Sequence, residues 1–499
     1  MIWQDQLRQD IPADQRRVAA TQHPHYRQTK IIFTIGPASE SPEALEQLIR
    51  QGVDICRINM AHADHQWTRE ITRRVRAVAA RVGREVAVMM DVKGPEIRTG
   101  KIDGEWTVEE GEIFDFYCDL DRIDDLKEEG VRGVSINYPN FWEDVKVGDT
   151  MLVDSGLLRF RVEDIQPCRV RTKVTVGGPL TSRRHVNLPG VKVRLPCLTE
   201  KDREDIKLGI SVDMDLYALS FVREADDLDM MRAYCREQGQ SDVRIIAKLE
   251  DQSAIENLSE IVQASDAVMV ARGDLGIEIP YETLPIAQDR AVKECLRQGK
   301  SVIVATHMLE SMIQNPVPTR AEITDVAHAV TQQADCVMLS GETSVGKFPF
   351  ACVDTLNRII TSVEGQDGPG WNDRIELKSA KGLLLRSAVI LCQELEGAAI
   401  VCFTRSGFLA NVLSALRPRR SPIFAFTDDP RALKRMCLNW GVDPFFIQFT
   451  EDDPEETIIK AMRMLKESGH AGPGTRLVVI ANALLGERVI ETIQLRTIE

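Results

Sequence analysis

Residues 243 to 274, VRIIAKLEDQSAIENLSEIVQASDAVMVARGD, carry the pattern from which the fold can be predicted. Two short apolar runs, Val243–Leu249 and Asp266–Ala271, flank a longer segment of mixed polarity. Near-continuous apolar runs of this length are typical of parallel strands that are covered on both faces. Charged side chains follow each run. The stretch therefore predicts a strand–helix–strand unit with polar groups at the end of each strand.

The same alternation recurs along the chain. The eight apolar runs are Lys30–Ile35, Asp54–Ile58, Val86–Asp91, Asp215–Ser220, Val243–Leu249, Asp266–Ala271, Ser301–Ala305 and Asp335–Leu339. Most neighbouring runs start roughly 23 to 35 residues apart, close to the ~30 residues per unit of a (β/α)8 barrel of ~250 residues. We therefore predict an α/β protein whose main part is a (β/α)8 TIM barrel, formed by residues 29–100 and 197–363.

One interval, from Val86 to Asp215, is much longer than the others. The excess, residues 101–196, has Gly-rich turns and few helical periods, and its strand-like pieces are Thr107–Cys118, Asp149–Val162 and Val170–Val176. Such texture is typical of an all-β unit. We predict a small β-barrel domain inserted after the third barrel strand.

The chain beyond the barrel alternates again. After a Gly-rich linker at 364–370, residues 371–499 predict a C-terminal α/β domain. Its predicted elements are helix 379–395, strand Ala398–Thr404, helix Phe408–Leu416, strand Ile423–Thr427, helix 430–440, strand 445–449, helix 454–468 and strand 476–481. A doubly wound nucleotide-binding fold would give the same pattern, so its topology stays open.

Composition excludes several classes of protein. The net charge of -14 over 499 residues argues against nucleic acid and against anionic membranes as partners. No apolar stretch reaches the 18 residues of a transmembrane helix. The N-terminal extension, residues 1–28, is polar and lacks the apolar core of a secretory signal, although organellar targeting stays an alternative. The 11 scattered cysteines favour a reducing, cytoplasmic location.

Polar side chains at the strand ends predict the chemistry. Lys248 and Glu250 lie two apart on one strand, so both project to the same side. Glu250 and Asp274 end neighbouring strands, and two carboxylates there can hold Mg²⁺. A structural ion pair, or a turn capped by Asp274, is the competing explanation. With positive charge from Arg57, Lys93, Arg98 and Lys248, the pattern indicates a magnesium-dependent barrel enzyme acting on a small phosphorylated or carboxylated substrate.

Several long strings resemble the pyruvate kinase family. They are TKIIFTIGPAS (29–39), DVKGPEIRTG (91–100), IIAKLE (245–250), VMVARGDLGIEIP (268–280), ATHMLESM (305–312), PTRAEITDVAHAV (318–330) and MLSGET (338–343). They occur in order from about residue 29 onward, and the similarity is strongest in the barrel. The resemblance implies transfer of a phosphoryl group from phosphoenolpyruvate to ADP, giving pyruvate and ATP, with Mg²⁺ or Mn²⁺ as cofactor. It also implies a homotetramer and a mobile lid formed by the inserted β domain.

The resemblance assigns roles to residues. Those implied in catalysis are Lys248, Arg57, Thr306 and Ser340. Those implied in substrate binding are Arg57, Lys248, Gly273, Asp274 and Thr306. Those implied in nucleotide binding are Arg57, His62, Arg98 and Arg184. The metal ligands implied are Glu250 and Asp274 for Mg²⁺, and Asn59, Asp91 and Val92 for K⁺.

Two departures from the family pattern matter. Ala61 stands where the family usually has Ser near the monovalent cation, whereas Glu96 matches potassium-dependent members. K⁺ dependence is therefore open.

A turn in the last domain resembles the one that binds the phosphate of a sugar-phosphate or nucleotide effector at a helix N-terminus. Its residues are Thr404, Arg405, Ser406 and Gly407. The second departure is Phe408, which follows this turn where a small polar residue is expected.

Two other functions compete with this one. Another magnesium-dependent barrel enzyme with a pyruvate-like substrate, such as an aldolase or lyase, would lack the inserted β domain and the GPEIR string. A catalytically silent relative with a regulatory role would be expected to have lost Lys248, Glu250 or Asp274. All three are present, so the sequence favours an active enzyme.

Overall fold

The computed structural model describes residues 27–499, apart from 367, 378, 396, 420, 451–452 and 486–487. The predicted N-terminal extension therefore lies outside the described residues except for Arg27 and Gln28. Both side chains are buried, and an Arg27 guanidinium nitrogen lies 2.7 Å from a carboxylate oxygen of Asp54. No helix among the described residues is long and apolar enough to cross a membrane.

The chain enters the barrel with three strands. Strands β1 (Lys30–Thr34), β2 (Ile55–Asn59) and β3 (Ala87–Val92) are separated by helices α1 (Pro42–Arg50) and α2 (His65–Val82). Both helices begin where a side-chain oxygen accepts a backbone N–H of the first turn, at Ser41 and Asp64. The three strands are almost entirely buried.

Eight strands then form the inserted β domain. They are β4 (Trp106–Val108), β5 (Ile113–Tyr117), β6 (Arg132–Ser135), β7 (Thr150–Val153), β8 (Leu158–Gln166), β9 (Arg169–Val176), β10 (Gly178–Leu180) and β11 (Val186–Asn187). Short helices α3 (Ile123–Leu126) and α4 (Phe141–Asp144) lie between them. The strands make a six-stranded and a two-stranded sheet rather than one closed barrel. They surround a core of their own, which contains Phe114, Phe116 and Phe160.

The chain returns to the barrel with five more strands. They are β12 (Leu216–Leu219), β13 (Ile245–Leu249), β14 (Ala267–Ala271), β15 (Ser301–Ala305) and β16 (Cys336–Leu339). The helices around them are α5 (Glu200–Ser211), α6 (Ala225–Glu237), α7 (Gln252–Glu256), α8 (Leu258–Ala264), α9 (Arg272–Glu278), α10 (Leu284–Gln298), α11 (Arg320–Thr331), α12 (Gly341–Ser344) and α13 (Pro349–Val363). 3₁₀ turns lie at Tyr281–Thr283 and Glu310–Ile313.

The eight barrel strands form one closed parallel sheet in the order β1-β16-β15-β14-β13-β12-β3-β2. This arrangement confirms the predicted (β/α)8 barrel. Each predicted strand agrees with the observed one to within two residues at either end. The agreement is close because strands buried on both faces are continuous apolar runs, and these have clear ends in the sequence.

The C-terminal part is the predicted α/β domain. Its elements are α14 (Ala380–Glu394), β17 (Ala399–Phe403), α15 (Phe408–Ala415), β18 (Ile423–Thr427), α16 (Pro430–Arg435), β19 (Val442–Phe446), α17 (Pro454–Glu467), β20 (Arg476–Leu485) and β21 (Arg488–Thr497). The sheet order is β19-β18-β17-β20-β21, and only β21 runs antiparallel to its neighbour. Alternate residues of β17 face two different apolar clusters, so the sheet is covered on both sides.

Two predictions in this domain were wrong in detail. The strand predicted at 445–449 is Val442–Phe446, which begins three residues earlier and contains Pro444. β19 is an edge strand, where the missing N–H of a proline is tolerated. The helix predicted over 430–440 ends at Arg435 and continues as a 3₁₀ turn, Met436–Leu438. The last strand, β21, was not predicted.

The C-terminal domain closes the amino end of the barrel. Cys437 and Leu438, in the 3₁₀ turn, pack in one cluster with inward-facing barrel residues such as Ile32 and Met269. Lys30, on β1, donates a hydrogen bond from Nζ to the Val442 carbonyl at 2.7 Å. The opposite, carboxyl end of the barrel is therefore the one that stays open.

Candidate active site

A cavity of about 480 Å³ lies at the carboxyl ends of the barrel strands. The predicted site residues that line it are Arg57, Asn59, His62, Asp91, Arg98, Lys248, Glu250 and Asp274. Lys93, Glu96, Ala61, Arg183, Ser220 and Phe221 complete the lining. Residues at the carboxyl ends of five neighbouring strands, β2, β3, β12, β13 and β14, thus meet residues of the inserted domain in one polar space.

Lys248 is at the centre of the polar contacts. Its Nζ lies 2.8 Å from Glu250 Oε1 and 3.1 Å from Asp91 Oδ1, and it donates to Ser220 Oγ at 2.6 Å. Burial alone would lower the pKa of this ammonium, but Asp91 and Glu250 raise the pKa above its usual value. The side chain is therefore a fixed positive charge at neutral pH.

Glu250 is almost completely buried at the end of β13. Its Oε2 accepts the backbone N–H of Phe221 at 2.7 Å. Burial raises the pKa of Glu250, the nearby Lys248 charge opposes this, and the negative charge of Asp274 raises the pKa further. Asp274 lies in the first turn of α9. Two crowded carboxylates that line one cavity fit a divalent cation, because a cation between them would relieve their repulsion.

Arg57 and Asp91 form a second buried pair beside this one. Arg57 Nε donates to Asp91 Oδ2 at 2.7 Å, and Arg57 Nη1 donates to Thr34 Oγ1 at 3.0 Å. Burial would raise the pKa of Asp91, but Lys248 and Arg57 lower it. The guanidinium is thus fixed at the edge of the cavity, next to Lys248, where it can contact an anionic group.

Thr306 and Gly273 are joined by a hydrogen bond. Thr306 Oγ1 accepts the Gly273 N–H at 2.7 Å and donates to the Ala305 carbonyl at 2.7 Å. Thr306 and His307 both have positive φ values, 66° and 56°, which are costly for side chains that carry a Cβ. Thr306 and Gly273 adjoin Asp274 but do not line the cavity.

The predicted residues Ser340 and Arg184 lie outside the cavity lining. Ser340 follows β16, and its N–H donates to Glu342 Oε2 at 2.7 Å. The Arg184 guanidinium lies in the inserted domain, 3.2 Å from Asp154 Oδ1. Arg183, the preceding residue, lines the cavity instead. The sequence analysis named Arg184, whereas the side chain that lines the cavity is set by a turn in which Arg183 has a φ of 59°.

The residues implied for K⁺ do not fit this ion well. Both Asp91 carboxylate oxygens are paired with cations, and the Val92 carbonyl accepts the Ser220 hydroxyl at 2.7 Å. Asn59 Oδ1 accepts the Ala61 N–H at 3.1 Å, and Ala61 has no hydroxyl to offer. Each oxygen of the implied set therefore already accepts a contact from the protein, and the serine hydroxyl of the family pattern is absent at Ala61.

Phe221 was not predicted. Its contribution is a backbone N–H to Glu250, and its φ is 54°. A backbone donor leaves no signature in side-chain chemistry, and the strained conformation depends on the packing of neighbouring strands.

The predicted effector turn lies elsewhere, after β17. Thr404, Arg405 and Ser406 line a cavity of about 660 Å³ in the C-terminal domain, and Gly407, with a φ of 82°, is the residue just before α15.

Comparison with known proteins agrees with this geometry. Residues 26–353 match the family model of the pyruvate kinase barrel domain, and residues 383–494 match that of the pyruvate kinase alpha/beta domain. Plastidial pyruvate kinase 2 of Arabidopsis thaliana is 38% identical over 463 residues, which is 91% of this chain and 78% of the relative. A pyruvate kinase of Clostridium perfringens is 36% identical over 91% of this chain and 96% of its own.

A third relative, a pyruvate kinase of Geobacillus stearothermophilus, is 38% identical over 92% of this chain and 78% of its own. The matches cover the barrel and the C-terminal domain together, which excludes an unrelated barrel lyase or aldolase. The chain therefore belongs to the pyruvate kinase family and is a phosphotransferase.

Proposed function

We propose that the rim cavity transfers the phosphoryl group of phosphoenolpyruvate to ADP, giving pyruvate and ATP. The observation that supports this most strongly is the position of Lys248, within 3.1 Å of the Asp91 and Glu250 carboxylates in a cavity that Arg57 and Asp274 also line. One cavity thus holds fixed cations for a phosphoryl group and carboxylates for a divalent cation.

Lys248 and Arg57 bind and orient the phosphoryl group. Phosphoryl transfer depends mainly on positioning and on neutralising charge at the transferred oxygens. Both side chains are held by carboxylates and hydroxyls before substrate arrives, so little reorganisation is needed at the moment of transfer. Lys248 stays charged at neutral pH because its neighbours raise its pKa.

Glu250 and Asp274 would hold Mg²⁺ or Mn²⁺. When bound, the ion supplies charge neutralisation for the substrate's phosphoryl and carboxylate oxygens. Gly273 precedes Asp274 and donates its N–H to Thr306 Oγ1, and these three residues are assigned to the carboxylate side of phosphoenolpyruvate. We assign the hydroxyls of Thr306 and Ser340 to orienting water near the enolate, which must take up a proton to become pyruvate.

The nucleotide is assigned to the outer part of the cavity. Arg57, His62 and Arg98 line it from the barrel side, and Arg183 and Arg184 belong to the inserted domain. We propose that this domain acts as a lid, which closes over both substrates and excludes water, so that charges inside the cavity act in a lower dielectric.

A coupled assay tests this function. Pyruvate formation from phosphoenolpyruvate and ADP should require a divalent cation, and Glu250→Ala should abolish it. Glu204→Ala, at an exposed glutamate on α5, is the matched control and should retain full activity. If the wild-type chain binds phosphoenolpyruvate but gives no pyruvate at saturating substrates, it is the catalytically silent relative.

The cavity after β17 is proposed to bind a phosphorylated effector. Thr404 and Ser406 offer hydroxyls near the N-terminus of α15, and Arg405 offers positive charge. Phe403, Phe408 and Phe449 form much of the remaining lining, so a ligand with an aromatic base fits these walls as well as a sugar does. Shifts in the half-saturation for phosphoenolpyruvate with hexose bisphosphate and with nucleoside monophosphates would distinguish the two classes.

A homotetramer is proposed from the family and from exposed apolar residues. Tyr281, Ile286 and Val317 are exposed on the barrel, and Leu383 and Ile390 are exposed on one face of α14. Two separate apolar surfaces suit the two kinds of two-fold interface in a tetramer with D2 symmetry. Sedimentation equilibrium tests this assembly.

All 11 cysteines are free and ten are buried, which supports a reducing, cytoplasmic location.

A further inference from the structure

The last strand of the inserted domain lies between that domain and the barrel. In β11, Val186 pairs with Val153 of the six-stranded sheet. The Val186 N–H also donates to the Ile97 carbonyl at 2.8 Å, in the segment that leads from β3 into the inserted domain. A movement of this domain against the barrel must therefore move the residues on both sides of Val186.

Asn187, on one side, contacts the helix that carries Asp274. Its Nδ2 donates to Glu278 Oε1 at 2.6 Å. Glu278 is the last residue of α9 (Arg272–Glu278), and Asp274 lies in the first turn of the same helix. Asn187 is buried, and its Oδ1 has no hydrogen-bond partner among the described residues. Its orientation therefore depends on the single bond to Glu278.

His185, on the other side, contacts the residue that holds Glu250. The His185 ring packs edge-on against Phe221, with ring centroids 6.2 Å apart. The Phe221 N–H donates to Glu250 Oε2 at 2.7 Å. Phe221 has a φ of 54°, a conformation that a non-glycine residue keeps only when its surroundings hold it there. The His185 ring is part of those surroundings.

We infer that β11 couples the lid to the divalent cation site, with Asn187 and Glu278 positioning Asp274, and with His185 and Phe221 positioning Glu250. The inference rests on the proposed function, which makes Glu250 and Asp274 the metal ligands. None of the four is a catalytic residue. Because linkage is reciprocal, a lid position that favours cation binding is itself favoured when the cation is bound.

Cation binding without substrates tests the coupling directly. Mn²⁺ titrations of the full chain, followed by the EPR signal of free Mn²⁺, would compare wild type with Asn187→Ala and Glu278→Ala. Groups that orient metal ligands typically contribute about 10- to 100-fold to metal affinity, so we expect about tenfold weaker binding for each variant. The double variant should bind Mn²⁺ no more weakly than the weaker-binding of the two single variants. Each single change already removes the same hydrogen bond between Asn187 and Glu278.

Two further variants serve as controls. Glu278→Gln keeps a carbonyl acceptor for Asn187 and imitates the neutral form of a carboxyl whose pKa burial raises to about 7, so it should bind Mn²⁺ nearly as wild type does. Lys173→Ala changes an exposed residue on β9 of the same domain and should have no effect. Loss of affinity in Lys173→Ala would mean that any change in this domain weakens binding, and would overturn the specific coupling.

Hydrogen exchange gives a readout that does not depend on activity. Mn²⁺ should slow amide exchange in the inserted domain of the wild-type chain, and should do so much less in Asn187→Ala. If Asn187→Ala fails to fold, His185→Ala tests the same coupling through Phe221 and should also weaken Mn²⁺ binding.

The outcomes separate the two proposals. If wild type does not bind Mn²⁺, or if Glu250→Ala binds as tightly as wild type, the proposed metal site fails and this inference fails with it. If Glu250→Ala abolishes binding but folded Asn187→Ala and His185→Ala bind Mn²⁺ as wild type does, only the coupling is overturned.

Discussion

The two ends of the barrel use the same side-chain types for different purposes. At the amino end, Asp54, Asp215, Asp266 and Asp335 each precede a strand, and each accepts the N–H of the first or second residue of a strand next to it. At the carboxyl end, Asp91 and Glu250 accept hydrogen bonds mostly from cationic side chains around an open cavity. The aspartates at the amino end accept backbone N–H groups and so stabilise the sheet. Asp91 and Glu250 at the carboxyl end instead fix the cationic side chains of Lys248 and Arg57 in place for a substrate.

The difference teaches which buried charges matter for folding and which for chemistry. The Arg417–Asp335 pair at the amino end is 2.7 Å long and almost inaccessible to solvent on both sides. Both residues are buried where the C-terminal domain meets the amino end of the barrel, away from the rim cavity. Charges at the carboxyl end are equally well paired but face the cavity. Mutations at the two ends should therefore separate activity from stability.

The largest effect is expected for Lys248→Met. Loss of the ammonium should lower kcat by about 10³-fold or more, because a fixed charge at the transferred oxygens is removed, while phosphoenolpyruvate binding stays measurable. Steady-state kinetics and a binding titration check this. Lys207→Met, at an exposed lysine on α5, is the matched control. Near-normal turnover in Lys248→Met would refute its assigned role.

The next effect is expected for Arg417→Met. This change leaves Asp335 buried without its cation, which should lower the free energy of unfolding by about 3–5 kcal/mol. Turnover per folded molecule should stay unchanged, because the pair lies at the closed end. Denaturant unfolding together with active-site titration measures both. Asp335→Asn combined with Arg417→Met should recover part of the stability, and a further loss in the double variant would contradict the pairing.

A pH-dependent effect is expected for Asp54→Asn. Burial would raise the pKa of Asp54, but the nearby charges of Arg27, Lys30 and Arg84 hold this pKa below the usual value for an aspartate. The stability from this carboxylate is therefore present above pH ~4 and is lost as pH falls through the lower pKa of the folded state. Asp54→Asn should be destabilised by about 3 kcal/mol at pH 7. Unfolding at decreasing pH should show the gap to wild type closing below pH ~4, and a constant gap would contradict this.

The smallest effect is expected on replacing K⁺. Because the oxygens of the implied site are engaged and Ala61 has no hydroxyl, turnover in tetramethylammonium should fall less than about threefold from that in K⁺, or less than ~1 kcal/mol. Ala61→Ser restores the hydroxyl and should increase the response to K⁺. A wild-type chain that needs K⁺ for most of its activity would show that Asp91 or Asn59 rearranges to bind it.

Much of the fold and of the site could be predicted from sequence, because burial and chemistry coincide in the barrel strands. Apolar runs such as Val243–Leu249 have sharp ends, and the charged residues at this end, Lys248 within the run and Glu250 just after it, line the cavity. Prediction from sequence failed where the conformation of a segment depends on its position in the tertiary structure. β19 accommodates Pro444 because it is an edge strand, and the exposure of Arg183 rather than Arg184 to the cavity depends on a residue with positive φ, while nucleotide binding by Arg184 stays a prediction. The hydrogen bond from Phe221 to Glu250 is donated by a backbone N–H, so the residue type at position 221 does not predict it.

The 3₁₀ turn Met436–Leu438 has a consequence for protein engineering. Since Leu438 and Cys437 complete the apolar interior of the barrel, a truncated chain that ends after α13 would expose that interior and should aggregate when expressed alone. An exchange of C-terminal domains between relatives would likewise have to transfer this turn together with its partners in the barrel floor, or replace both by sets of equal volume.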